Sequence, residues 1–272
     1  MTKYTSTNQF AREIRLLSLK MVYNAKASHI GGALSMADLL AVLYGRIMNF
    51  NPKEPDWKGR DRFLLSKGHA CASLYSTLAL AGFYSTDELD TYGMDGSRFI
   101  SHASHKVPGV ELSTGSLGHA LPVACGIALA GKRKGENYRT FVLVSDGELD
   151  EGSNWESILF APQHNLSNLV LIVDYNKIQS LGRVDEVLSI EPLEKKFEAF
   201  NWHTKTINGH DHKQIFETLS SDTLDNKPKV IIAHTVKGKG VDFMENKLLW
   251  HYKSLDNSEY SDAITQINSA NN

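Results

Sequence analysis

Two apolar runs in the middle of the chain end in side chains able to hold a hard cation. Residues 140–145 (TFVLVS) lead into Asp146-Gly147, and residues 168–174 (NLVLIVD) lead into Tyr175-Asn176. Between them lies a helix-compatible stretch from about Ser153 to His164, so the unit reads strand–helix–strand. In a parallel α/β sheet, ligands bind at the carboxyl ends of the strands. A right-handed crossover puts both ends on one edge, ~5 Å apart for neighbouring strands and ~10 Å with one strand between. A carboxylate, an amide oxygen and a nearby backbone carbonyl suit Mg²⁺ or Ca²⁺, and Mg²⁺ with so few protein ligands takes the rest from water and phosphate. Gly147 lets the backbone come close to such a ligand. Asp or Asn alone at a strand end commonly does no more than terminate the strand. The pair therefore carries the reading.

Histidine is the second chemical signal, because imidazole both donates and accepts protons near neutrality. His29 sits in a loop next to Gly31-Gly32, and His69 follows Gly68 at an expected helix start, where an anion site is natural. His102 and His105 are three apart, but no second ligand pair of zinc spacing accompanies them. His210 and His212 flank Asp211 in a polar stretch that reads as a solvated turn. Lys237–Gly240 lacks the GxxxxGK[ST] frame and reads as a flexible turn.

The elements that must position these groups follow from periodicity. Phe10, Ile14, Leu17 and Met21 predict an amphipathic helix over 9–27, with Arg12, Arg15 and Lys20 off the apolar face and Ser6 and Gln9 at capping-box spacing. Ser35–Asp38 predicts a second box opening the buried run LLAVLYGRIM. Further helices are expected from His69 to Gly82, from about Leu117 to Arg133, near 192–200 and near 212–221, with strands also at 204–207 and 229–234. Near-continuous apolar strands alternating with helices predict a doubly wound, mostly parallel α/β sheet covered on both faces. The whole of 1–272 reads as one domain, with a polar tail from about 254 (Ser254–Asn272).

Composition excludes several classes. With 272 residues, 42% apolar and 22% charged, and with 7 Pro and 20 Gly, the chain is neither disordered nor collagenous. A net charge of −2 from 29 basic and 31 acidic residues, without long blocks of one sign, argues against nucleic acid or an anionic membrane as partner. Cys71 and Cys125 sit in apolar stretches without CxxC spacing and are expected as buried thiols in a reducing compartment. The first 30 residues lack an apolar signal core, and no run approaches the ~20 apolar residues of a membrane span. A cytoplasmic location is expected.

The full span Asp146-Gly147-Glu148-Leu149-Asp150-Glu151-Gly152, then Trp155-Glu156, Asn168-Leu169 and Asp174-Tyr175-Asn176-Lys177-Ile178-Gln179, resembles the thiamine diphosphate signature of the transketolase family. The resemblance covers 8–252 in order. Ser28–Gly32 is similar to the family's first histidine loop, Leu65–His69 to its S-x-G-H element, Pro108–Glu111 with Ser113–Gly118 to its PGVE…TGxLG loop, and His234–Gly240 with Trp250-His251 to its last segment. This implies the thiamine diphosphate-binding fold, diphosphate-side domain. It implies that Asp146, Asn176 and the carbonyl of Ile178 hold Mg²⁺ (or Ca²⁺). His69, His251, Glu148 and the backbone at Gly147 are implied near the cofactor's diphosphate end, Gly115 and Leu117 against its rings, and Glu151 at a contact between chains. His29, His102 and His251 are implied as the catalytic groups that face substrate oxygens. The cofactor itself acts as nucleophile and electron sink.

The chain departs from the family pattern at four places: Ser145 for glycine before Asp146, Ser101-His102-Ala103 for G-H-P, His119 for glutamine, and Tyr252 for a small residue. Metal and diphosphate groups persist while substrate-side neighbours change, which implies ketol transfer on a modified or unusual sugar. The family's activating glutamate belongs to a pyrimidine-binding domain, so a C-terminal transketolase subunit is expected as partner, in an (αβ)₂ heterotetramer. An α subunit of a 2-oxoacid dehydrogenase, or a non-catalytic cofactor-binding subunit, are the competing readings.

Overall fold

A computed structural model describes residues 6–221 and 225–269. Five parallel strands form one sheet: β1 (Arg62–Leu65), β2 (Thr140–Ser145), β3 (Leu169–Tyr175), β4 (His203–Asn208) and β5 (Lys229–His234), in the order β1-β2-β3-β5-β4. The alternation of side chains across a strand divides the core in two. Phe141, Leu143, Val170, Ile172, Ile231 and Ala233 point to one face, and Val142, Val144, Leu171, Val173, Val230 and Ile232 to the other. Helices α1 (Thr7–Asn24), α2 (Ile30–Ser35), α3 (Ala37–Val42) and α4 (Cys71–Leu80) cover the first face. Helices α5 (Ala120–Lys134) and α6 (Gly152–Gln163), then α7 (Val184–Val187) and α8 (Leu193–Ala199), belong to the second. Helix α9 (His212–Ser220) and helix α10 (Asn257–Ser269) return to the first, burying Ile215, Leu219, Ala263 and Ile267. The doubly wound parallel sheet expected from the apolar runs is the architecture observed.

Local chemistry agrees with the sequence at many ends. The Ser6 hydroxyl accepts from the Gln9 amide at the start of α1, and Asp211 accepts from the Lys213 and Gln214 amides at the start of α9. Cys71 and Cys125 are buried free thiols, and burial pushes each up to about 12. Among the described residues no helix is long and apolar enough to cross a membrane.

Four readings are corrected. The Ser35–Asp38 box does not form: Ser35 donates to the Gly32 carbonyl (3.0 Å) and to Asp174 Oδ2 (2.5 Å), while Asp38 turns to Arg15. Arg15, expected on the polar face of α1, is 8% exposed and paired with Asp38. β1 is a strand that the sequence pattern does not signal. The polar tail contains α10, docked on α1 through a Tyr23–Tyr260 stack with ring centroids 4.1 Å apart; residues 270–272 of that tail lie outside the described residues.

Candidate active site

β2 and β3 are neighbours, with Ser145 paired to Asp174, so Asp146 and Asn176 leave the sheet side by side. Asp146 is 1% exposed. Its Oδ1 accepts from the Gly147 amide (2.7 Å) and its Oδ2 from the Lys177 amide (2.5 Å). Lys177 adopts the left-handed conformation (φ 67°) that aims this amide back at the carboxylate. Asn176 Oδ1 accepts from the Ile178 amide (3.1 Å), which fixes the amide oxygen on the same loop. Burial, then repulsion from Asp174, pushes the Asp146 carboxyl up to about 6, against two backbone hydrogen bonds that favour its ionised form. The Lys237 ammonium offsets this only in part, and a bound cation would supply the rest. Both oxygens keep a spare lone pair. No cluster of three His, Cys, Asp or Glu side chains suited to a metal occurs among the described residues. One carboxylate, one amide oxygen and the Ile178 carbonyl are instead a partial oxygen set, which fits an ion that completes its shell with phosphate oxygens and water.

Four imidazoles gather beside this edge. His29 lies between the others, with ring centroids 5.0 Å from His69, 5.2 Å from His251 and 6.2 Å from His102; His69 and His251 are 5.6 Å apart. His29 is left-handed (φ 71°, ψ 16°) at the start of α2, a strain of order 1–3 kcal/mol in a non-glycine residue. Its amide donates to the His251 carbonyl (3.1 Å), which ties the first histidine loop to the last. Gly68 lets the loop around Thr114 lie against the His69 turn; a Cβ there would stand 2.2 Å from the Thr114 carbonyl oxygen. Gly115 in turn faces the His102 ring, whose Cδ2 would be 3.2 Å from an added Cβ.

Lys237 joins the two halves. Its ammonium donates to the Ile178 carbonyl (3.0 Å) and to His251 Nδ1 (2.9 Å). The stretch expected as a flexible turn is therefore a buried structural centre, with Lys237 3% exposed. Because an ammonium has no lone pair, His251 Nδ1 accepts and the ring proton sits on Nε2. Below lies a second buried lysine, Lys67, which donates to Asp174 and to the Gly32 carbonyl (2.8 Å). Asp174 also accepts from Ser35 (2.5 Å) and from Thr235, so β3, α2 and the turn after β5 converge on one carboxylate. Burial comes first and these cations second in holding His69 well below its ordinary value and His251 down to about 3. His29 is lowered by burial, then by His102 and Lys237. Lys67 is balanced by Asp174, so the groups left to favour an anion are the Lys237 ammonium and the imidazole N–H donors.

The remaining expected residues take different places. Glu148 is fully buried, and its carboxylate accepts from Ser66, from the Gly118 amide (2.8 Å) and from the Ser145 amide (3.3 Å), so it frames the site from beneath. The close approach at Gly147 is made by Gln179, whose Cγ would stand 2.8 Å from an added Cβ. Glu151 is exposed at the start of α6, packed near Gly118. The Leu117 carbonyl accepts from His119 Nδ1 (2.7 Å). Sequence reasoning missed Lys67, Asp174 and Lys237 as site groups. The rule that used the ends of β2 and β3 would have found Lys237 if extended to β5, whose end lies on the same edge.

The sequence from 6 to 268 matches the family model described as "Transketolase, thiamine diphosphate binding domain". It is 42% identical to one subunit of the apulose-4-phosphate transketolase of Phocaeicola vulgatus over 250 residues, 92% of this chain and 89% of that one. It is 38% identical to the 6-deoxy-6-sulfo-D-fructose transketolase subunit SqwG of a Clostridium species over 259 residues, 94% of each. The fold superposes on the transketolase of Campylobacter jejuni with TM-score 0.91 and 34% identity, covering 96% of this chain and 42% of that one. The chain thus spans about two fifths of that solved transketolase and nearly all of the two relatives named as transketolase subunits. Match, identity and geometry agree: the chain belongs to the transketolase family.

Proposed function

We propose that this chain is the diphosphate-binding subunit of a two-chain transketolase, moving a two-carbon ketol unit from a ketose to an aldose. The observation that carries the proposal is the junction made by Lys237 between the oxygen set at Ile178 and the imidazole cluster at His251. Asp146, Asn176 and the Ile178 carbonyl would hold Mg²⁺, and His69, His251 and Lys237 would face the diphosphate. Thiamine diphosphate, when bound, supplies the nucleophile and electron sink for carbon–carbon cleavage. The chain's own part is binding, orientation and proton handling. His29 and His102 are suited to take and return protons at substrate hydroxyl and carbonyl oxygens. Two relatives are named for apulose 4-phosphate and 6-deoxy-6-sulfo-D-fructose, both anionic ketoses, and the altered neighbours Ser101, Ala103, His119 and Tyr252 support a modified ketose here.

The partner would be a pyrimidine-binding C-terminal transketolase subunit that contributes the activating glutamate, in a cytoplasmic (αβ)₂ assembly. Relatives that are themselves named as transketolase subunits, and are matched over nearly their whole length, support two chains. The test is ketol transfer with thiamine diphosphate, Mg²⁺ and a panel of ketose donors, with this chain alone and with the product of the adjacent gene. Activity that requires both is expected; full activity of this chain alone would overturn the two-chain reading. Pyruvate decarboxylation without ketol transfer would overturn the transketolase reading.

A further inference from the structure

The turn expected to be solvated, His210-Asp211-His212, instead closes on a buried carboxylate. Asp38 in α3 is 6% exposed and accepts four hydrogen bonds: Arg15 Nη1 (3.1 Å) and Nη2 (2.5 Å), His210 Nδ1 (2.6 Å) and His212 Nε2 (3.0 Å). Four donors fill the acceptor sites of a carboxylate, so neither imidazole has room to swing. The Arg15 contact is bidentate, the most directional form of this pair.

His210 reaches onward. Its Nε2 accepts from the Val236 amide at 2.8 Å. A backbone N–H can act only as donor, so Nε2 is bare and the ring proton is on Nδ1, where it meets Asp38. The carboxylate thereby fixes both the tautomer and the tilt of the ring, the arrangement by which outer carboxylates orient histidines at metal centres. Val236 immediately precedes Lys237, whose ammonium joins Ile178 to His251. The same turn is pinned on its other sides by Thr235 to Asp174 and by the Gly238 amide to the Gly31 carbonyl (2.9 Å). Gly209 packs so closely here that an added Cβ would stand 2.5 Å from Thr235 Cγ2. A lysine stem is flexible, so the position of its ammonium depends on how firmly its backbone is held. His212 differs in one respect: its other nitrogen goes to Thr7 Oγ1 (2.7 Å), away from this turn.

We propose that His210, locked by Asp38, is a positioning residue that sets the Val236–Lys237 backbone and so aims the Lys237 ammonium into the anion site. This rests on the proposed diphosphate role for that site. It predicts a division of labour between two histidines on one carboxylate: His210 serves the site, and His212 serves the fold.

The test uses the full-length chain with His210→Asn, His210→Gln and His212→Asn. Asparagine places an amide near Nδ1 and keeps a donor for Asp38, but offers nothing to Val236. Glutamine can place its oxygen near Nε2 and restore the acceptor. Amide exchange over 235–240, followed by mass spectrometry, is expected to speed up in His210→Asn and to return toward wild type in His210→Gln, with His212→Asn unchanged. Calorimetry with Mg²⁺ and inorganic pyrophosphate as the probe should show ~10- to 100-fold weaker binding for His210→Asn, the usual cost of losing an outer-shell partner. In the assembled enzyme, the thiamine diphosphate concentration for half activation should rise by a similar factor while kcat at saturation holds. Equal exchange over 235–240 in wild type and His210→Asn would overturn the proposal. So would an equal loss of pyrophosphate affinity in His212→Asn, which would make the network purely structural. Absence of pyrophosphate binding to wild type would count against the proposed function, and the exchange comparison would still decide the role of His210.

Discussion

Lys237 and His251 lie 2.9 Å apart, nitrogen to nitrogen, and this contact makes one side chain the hinge between the loop after β3 and the imidazole cluster. Lysine can donate three hydrogen bonds from one point, and two of them are spent on His251 and the Ile178 carbonyl. Among the described residues the third meets no acceptor and can face an anion. Replacing Lys237 with methionine keeps the stem and removes all three. The expected result is ~10- to 100-fold weaker thiamine diphosphate binding, by analogy with losses at groups that support a bound metal or ligand. Titration of cofactor into the assembled enzyme, followed by the change in intrinsic fluorescence, measures it, and an unchanged midpoint would refute the hinge.

Much of this fold was legible because its strongest signals are local. β2 and β3 are continuous apolar runs ending in chemically distinctive residues, and the structure puts those ends together. What was not legible depends on partners far away in sequence. Arg15 reads as a polar-face residue until Asp38, 23 positions on, folds against it; His210 and His212 read as solvated until Asp38, 172 and 174 positions back, reaches them. β1 is four residues long with an arginine at its start, too short for a period to show. Helix α10 is polar overall and is held by the few apolar groups that meet α1, Tyr260 and Ile267 among them. Lys237 hid for a different reason: Gly238 and Gly240 just after it suggest mobility, whereas here Gly238 permits close packing against Met244 and its amide donates to the Gly31 carbonyl.

The oxygen set makes a direct prediction about metal. Asp146→Ala removes its one carboxylate and both acceptors for the Gly147 and Lys177 amides. Mg²⁺-dependent cofactor binding should fall by more than ~100-fold, beyond the range for supporting residues. Asp146→Asn keeps the side-chain volume and one of the two acceptors but loses the charge, so its cofactor binding should also collapse, while circular dichroism stays near wild type and unfolding shifts only by the cost of one lost hydrogen bond, about 1–3 kcal/mol. Binding that survives in Asp146→Asn would remove Asp146 from the metal.

Two glycines should respond oppositely to the same substitution. At Gly68 an added Cβ meets the Thr114 backbone carbonyl at 2.2 Å, so the loop over 113–118 must move away from His69. Gly68→Ala is expected to cost about 1–3 kcal/mol in urea unfolding, the range for overpacking, and to weaken cofactor binding. At Gly126, inside α5, nothing lies within 4 Å of an added Cβ. Gly126→Ala should stabilise the isolated chain by up to ~1 kcal/mol through helix propensity. Similar unfolding midpoints for the two variants would contradict the close approach at Gly68.

Asp38 links stability to acid. Burial by itself would raise its carboxyl, but Arg15 and the hydrogen bonds from His210, His212 and Arg15 hold it well below the usual 3.8. A carboxyl depressed in the folded state adds stability that is fully present above the unfolded value and is lost as pH falls through the folded one. The window therefore opens near pH 4 and extends downward. Asp38→Asn leaves Arg15 buried without its counter-charge and should cost about 3–5 kcal/mol at pH 7. The gap between wild type and variant should narrow as pH drops below 4. Urea denaturation at pH 7, 5, 4 and 3.5 measures it; a gap that widens in acid would reverse the assigned sign.

The histidine cluster makes the last prediction. His29 is the hub, with three rings within 6.2 Å and a left-handed backbone at the very start of α2. Its ring nitrogen Nδ1 lies 3.0 Å from the Ser28 hydroxyl, which orients the ring while Nε2 remains available to a substrate oxygen. His102 stands on the opposite side, against Gly115, with the Tyr75 hydroxyl donating to its carbonyl (2.7 Å) to hold the loop. Neither ring contacts the Asp146–Asn176 oxygen set through a hydrogen bond among the described residues. His29→Ala and His102→Ala should therefore leave Mg²⁺-dependent cofactor binding within a few-fold of wild type. Turnover on the best ketose donor should fall by ~10²–10⁴, the usual range for losing a proton-transfer group. His29→Gln should recover part of the loss if hydrogen bonding to the substrate is the larger contribution, and none if proton transfer is. Steady-state rates that match wild type in both alanine variants, at saturating cofactor, would take these imidazoles out of the reaction.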